Sequence, residues 1–135
     1  MLENLNWFII VLLSLPAILM GFLSLKGYTQ NKELFLWLGL GALCIAYIFF
    51  YVHSHPFYHL FIIGLFWGIL NSVIQSVYYT TYIAHNIKAA NSYKKLAQSM
   101  NPRVAMVLIG IGTGTGIGIA LGAVSWIAKK LLYNL

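Results

Sequence analysis

Three groups of residues in this chain have the types and spacing to do chemistry. The first is His53, His55 and His59, which read H-x-H-x-x-x-H. Neutral imidazole nitrogens ligate copper, zinc and haem iron. His59 falls one helical turn into the segment opened by Pro56, so the three rings can gather at one turn. A metal- or haem-binding redox subunit is the function such a cluster would serve. An ordinary interfacial turn accepts histidine equally well, and the motif carries both readings. His85 stands apart, about 39 Å beyond His59 if the helix between them is continuous at about 1.5 Å per residue.

The second group is a polar row. Asn71, Gln75, Tyr78, Tyr82 and His85 are spaced four, three, four and three residues apart. On one continuous helix they share a face roughly 80° wide, which Gly64 and Gly68 extend toward the other end. Polar groups are not turned toward lipid, where each unsatisfied one costs several kcal/mol. The row therefore faces another helix, a partner or a water-filled path. Interhelical hydrogen bonds of this kind contribute about 0.6 kcal/mol each, so simple bundle cohesion is one reading. A solute or ion path lined by the five residues is the other. The tyrosines also suit the aromatic belt of a membrane interface, but that does not account for Asn71 and Gln75.

The third group is glycine. Gly110, Gly114, Gly118 and Gly122 recur at every fourth position, and Gly112, Gly116 and Ala120 form a second row on another face. Small residues at this spacing let helix backbones approach closely. The first row is the candidate for helix packing, between copies or with a partner. The alternation from Gly110 to Leu121 resembles the glycine-rich helix in the ring subunit of rotary ATPases. That resemblance implies a mid-membrane carboxylate carrying an ion, within a two-helix subunit. This chain has no such carboxylate and has four apolar segments, so it is not assigned to that family.

The acids exclude more than they offer. Glu3 and Glu33 are the only carboxylates, both near segment ends. Proton relays and cation coupling ordinarily use Asp or Glu within the membrane, and acid-pair hydrolases need two carboxylates at one site. Ser72 and Ser76 lack an accompanying His–acid pair. No phosphate loop, dinucleotide fingerprint or CxxC pair is present. The lone Cys44 allows no intrachain disulfide and reads as a buried, inert thiol. No catalytic residue is assigned.

These residues need elements to hold them. The 135 residues are 61% hydrophobic and 7% charged, against about 25% charged in a soluble domain. Eight Lys/Arg and two Asp/Glu are too few to clothe a soluble fold, so lipid is the expected surroundings. The net charge of +6 sits in short patches at the ends of apolar runs, a membrane pattern rather than a nucleic-acid face. Met1 to Asn6 contain no Lys or Arg and no small-residue exit follows, so the first run reads as a retained helix.

Four stretches have the roughly 20 apolar residues that a crossing requires: 7–25, 34–52, 56–84 and 102–128. Pro16 is expected to kink the first. Asn31 is the expected cap of the second, Ser54 or His55 that of the third, and Asn101 before Pro102 that of the fourth. Short links make sequence neighbours antiparallel. Residues 87–100 read either as an amphipathic interfacial helix or as a solvated loop. Ile87, Ala90, Tyr93, Leu96, Ala97 and Met100 would share its apolar side, away from Lys88, Lys94 and Lys95.

The sequence thus predicts an all-α, four-helix membrane bundle forming one domain. Lys26, Lys32, Lys88, Lys94, Lys95 and Arg103 outnumber Lys129 and Lys130, which puts the first and third connections in the cytoplasm. Both termini would then lie outside, across a cell inner or plasma membrane. The expected function is a non-catalytic assembly subunit, as a homo-oligomer or with other membrane subunits. No cofactor is predicted beyond the copper, zinc or haem that the histidines could hold. A channel lined by the polar row and a redox subunit are the alternatives.

Overall fold

The computed structural model describes residues 4–52 and 54–133, and they fold entirely into helices and turns. Helix α1 (Trp7–Ser14) runs into α2 (Pro16–Leu25), followed by α3 (Glu33–Tyr51), α4 (Pro56–Val77), α5 (Tyr79–His85), α6 (Ile87–Leu96) and α7 (Pro102–Tyr133). Among the described residues, four stretches are long and apolar enough to cross a membrane: Trp7–Leu25, Glu33–Tyr51, Pro56–Val77 and Pro102–Leu132.

Local chemistry sets the helix ends. The Asn6 side chain caps α1 by accepting from Ile9 N–H at 3.2 Å. Pro16 divides α1 from α2 because it has no N–H to offer Leu12 O; that carbonyl takes Leu15 N–H instead, at 3.3 Å. At α7, Asn101 Oδ1 accepts from Arg103 N–H at 3.0 Å, with Pro102 in the first turn. His55 caps α4 from the left-handed region, at φ 45°, without a side-chain bond. The cap of α3 is Lys32 rather than the expected Asn31, and no side chain bonds there.

Two boundaries differ from the sequence reading. The third apolar helix does not continue to residue 84: Tyr78, at φ −97° and ψ 36°, interrupts it. The β-branched pair Thr80–Thr81 follows, and α5 turns to pack against α2. Gly27 makes that turn possible, with φ +72° and its Cα so close to α5 that a Cβ would lie 2.8 Å from His85 O. The fourth helix runs past 128 to Tyr133. Of the two readings for 87–100, helix wins over 87–96, with Ala90, Tyr93 and Leu96 half-buried and Lys88, Lys94 and Lys95 exposed.

The centre of the fold is the pair α4 and α7, the most extensive helix contact in the chain. Gly64 and Gly68 of α4 meet Gly110, Gly114 and Gly118 of α7 backbone to backbone. A Cβ on Gly114 would lie 2.9 Å from Gly64 O, Gly68 Cα and Leu65 O at once. Such contacts are van der Waals interactions summed over two bare backbones, the term that drives helix packing where apolar burial from water does not. The remaining core gathers beside this seam, with Ile10, Ala17, Cys44, Ile48, Leu60, Ile63 and Trp67 buried together.

A side chain in the seam should be costly because both neighbours are backbone and cannot rotate away. Gly114→Leu is expected to lower stability by about 3 kcal/mol or to prevent folding, since overpacking alone costs about 1–3 kcal/mol. Unfolding in mixed micelles checks this, and a variant as stable as the parent would contradict the packing.

Candidate functional site

The polar row does not stay on one face. The break at Tyr78 ends the helix that would have carried all five residues, and their side chains go to different surroundings. Tyr78 is exposed and lies beside Phe22, with ring centroids 6.1 Å apart. His85 is exposed, its Nδ1 2.9 Å from Thr81 O. Gln75 is buried and donates through Nε2 to Ser24 Oγ at 3.0 Å. Asn71 and Gln75, with Gly68, line a cavity between α3, α4 and α7. A continuous five-residue path along one helix is therefore not formed.

Gln75 belongs instead to a knot of polar groups joining α2, α4 and α5. Buried Ser24 donates to Gly21 O at 2.7 Å, and its hydroxyl accepts from Gln75. Buried Asn86 donates through Nδ2 to Ser24 O and to Tyr82 O, both at 2.9 Å. Gln30 Nε2 adds a bond to His85 O at 3.2 Å. Tyr82 is half-buried nearby; its phenol is pushed up to about 12, first by burial and then by the charges of Glu33 and Tyr93. Ser24 and Asn86 escaped the sequence reading. Ser24 sits alone in an apolar run, and Asn86 looks like a simple loop residue before α6.

The histidines also separate. His53 lies outside the described residues. His59 is fully buried, and both of its ring nitrogens are engaged. Its Nε2 accepts from Asn6 N–H at 3.0 Å, which requires the proton on Nδ1, and Nδ1 donates to His55 O at 3.0 Å. The imidazole ties the start of α1 to the start of α4, satisfying a backbone N–H that the first helix turn leaves free. His55 is exposed, with its ring beside Tyr58. Among the described residues no group of three or more His, Cys, Asp or Glu is placed to hold a metal ion. For His59 to ligate a metal it would have to give up one of its two bonds.

A third cross-tie uses Trp67, buried in α4, whose Nε1 donates to Leu13 O at 3.0 Å, beside the Pro16 break. Together the ties fix α4 against the first apolar stretch at three levels, through His59, Trp67 and Gln75.

The cavity brings polar and aromatic side chains together. It has a volume of about 370 Å³ and lies between α3, α4 and α7, with Tyr93 of α6 at its edge. Trp37 and Trp67 form one wall, their ring centroids 5.1 Å apart. Glu33 stands at the α3 end, where its carboxylate accepts from Trp37 Nε1 at 3.4 Å. Asn71 Oδ1 is buried without a hydrogen-bond partner. Met106, Gly110 and Thr113 contribute the α7 side.

The glycine rows of α7 divide cleanly. Gly110, Gly114, Gly118 and Gly122 are buried against α4, with Gly122 over Phe57. That row is spent inside the chain and is not free to join copies. Gly112, Gly116 and Ala120 are exposed, and a Cβ on either glycine would meet nothing within 4 Å.

No known family model, curated protein or solved structure matches this chain.

The cross-ties make specific demands. Asn86→Ala removes one buried and one part-buried bond and should cost roughly 1–2 kcal/mol. His59→Leu keeps the bulk but strands Asn6 N–H, and should cost about 1–3 kcal/mol. Both are read from unfolding in mixed micelles, and losses within 0–0.3 kcal/mol, an order-of-magnitude floor well below one buried hydrogen bond, would refute the assignments.

Proposed function

We propose that this chain is an integral membrane protein that crosses the bilayer four times and works as a non-catalytic assembly subunit. Support for the membrane reading comes from the outer surface. Phe8, Phe35, Leu43, Phe50, Leu131 and many other large apolar side chains are exposed along the four long helices. A soluble protein rarely presents so continuous an apolar skin, whereas lipid requires one. The basic residues near the first and third connections support a cytoplasmic position for those connections, with both termini outside.

The assembly reading rests on the outward face of α7. Gly112, Gly116 and Ala120 lie on it at four-residue spacing with nothing packed over the glycines. Glycine within a helix costs roughly 0.5–1 kcal/mol relative to alanine. In the inward row that cost is offset by contact with α4, but in the outward row nothing among the described residues offsets it. A second membrane helix laid against this face would supply the contact, as small-residue rows do between transmembrane helices. The helix comes from another copy or from a different membrane subunit.

The test separates the two faces. Gly112→Leu/Gly116→Leu introduces side chains into open space and improves helix propensity, so the variant should fold and melt like the parent. Its mass in nanodiscs should fall from that of an assembly to that of one chain. An assembly of unchanged mass in this variant, or a parent that is monomeric and brings down no other subunit, would overturn the reading.

A further inference from the structure

The cavity between α3, α4 and α7 has an uncompensated chemistry. A carboxylate, Glu33, and a buried amide oxygen without a partner, Asn71 Oδ1, both face the same space of about 370 Å³. None of the described residues lining it is Lys, Arg or His. Trp37 Nε1, at 3.4 Å, is the donor that Glu33 receives from a side chain, and the bond is long. Gln75, also in the lining, has its Nε2 committed to Ser24. Among the described residues, the lining thus holds an amide oxygen without a partner and a carboxylate with no cationic side chain, while Tyr93 brings a phenol O–H to its rim.

Each wall narrows the identity of what would fill it. A buried unsatisfied acceptor calls for an N–H or O–H donor. A partly enclosed carboxylate calls for a cation. The paired rings of Trp37 and Trp67 offer apolar and cation-attracting faces. Met106, Ile109 and Ile117 make the opposite side apolar. The volume falls in the range of small-molecule sites, about 300–1,000 Å³, and greatly exceeds what a bare metal cation would fill.

We propose that this cavity binds a primary ammonium group carried on an apolar body, with the ammonium on the Glu33 carboxylate and Asn71 Oδ1 and the body on Trp37 and Trp67. A quaternary ammonium has no N–H to give Asn71 and binds less well. The same ammonium can be presented by a free amine or by the headgroup of an ethanolamine lipid. Gly112, Gly116 and Ala120 do not line the site, so it shares no residue with the association proposed for the outward face.

The experiment titrates 2-phenylethylamine into the full chain in nanodiscs of phosphatidylcholine alone, read by calorimetry and by tryptophan emission. Saturable binding near one per chain is expected, with benzyltrimethylammonium at least tenfold weaker. Glu33→Gln and Asn71→Leu should each weaken the amine at least tenfold, while Lys26→Gln, at an exposed residue outside the cavity, leaves binding unchanged. Glu33→Gln keeps the size of the side chain, so its melting temperature reports whether the fold is intact. Repeating the titration with ethanolamine lipid in the nanodisc separates the sources: competition identifies the headgroup, and undiminished amine binding identifies a free amine. Absence of saturable amine binding together with absence of ethanolamine-lipid enrichment overturns the proposal. So does amine binding that is equally tight in folded Glu33→Gln and in Asn71→Leu.

Discussion

Two helix backbones in direct contact are the constraint on which this fold depends. Where α4 and α7 meet, Gly64 and Gly68 lie against Gly110, Gly114 and Gly118 with no room for a Cβ on either side. Contact at this range is unforgiving, because dispersion forces fall away within an ångström of separation and backbone cannot rotate aside. Other elements are placed relative to this seam. Trp67 and His59 project from α4 toward the first apolar stretch, and Trp37 of α3 meets Trp67. The cavity lies beside the seam, where Asn71, Met106 and Thr113 stand near the close-packed glycines.

With so few charges, the chain is held by neutral hydrogen bonds between helices. Each tie meets a backbone group or polar side chain that local structure leaves wanting: Asn6 N–H at a helix start, Leu13 O beside a proline break, Tyr82 O just before α5 ends. Bonds of this kind are individually modest, but they fix the register of α4 against α1 and α2 at successive levels. The cavity departs from this economy. Asn71 Oδ1 is buried and unpaired, and Glu33 stands near it without a basic neighbour in the lining. The other buried polar side chains of α4 have partners; elsewhere, Thr29 Oγ1 and Ser125 Oγ are also buried and unpaired, but neither lines this cavity.

Much of the architecture was legible because long apolar runs and prolines mark helices by simple rules. Four apolar runs, prolines at 16, 56 and 102, and Asn101 before Pro102 marked helices that the structure contains. The glycine spacing in α7 suggested two close-packing faces, but sequence periodicity could not say which one the chain uses itself. That depended on where Gly64 and Gly68 would lie, a tertiary fact. The polar row misled for a related reason. Its regular spacing assumed a helix unbroken through Tyr78, and no proline or glycine announces the break. The turn there is stabilised from a distance, by Gly27 close beside His85 O and by Asn86 reaching Ser24. The spacing of His53, His55 and His59 suggested a ligand cluster, whereas a bond from Asn6, more than 50 residues away in sequence, assigns His59 to the helix starts.

The central claim, that α4 and α7 meet backbone to backbone at these glycines, is tested most directly by a double-mutant cycle on Gly68→Ala and Gly114→Ala, measured by unfolding in mixed micelles. A Cβ on Gly68 would lie 2.6 Å from Gly114 Cα, and a Cβ on Gly114 2.9 Å from Gly68 Cα, so either alanine must push the same two backbones apart. Each single variant should lose about 1–3 kcal/mol. The double variant should lose clearly less than the sum of the two, with a coupling on the order of 1 kcal/mol, because the second methyl enters a seam already opened. Losses that simply add, or single variants as stable as the parent, would contradict the account.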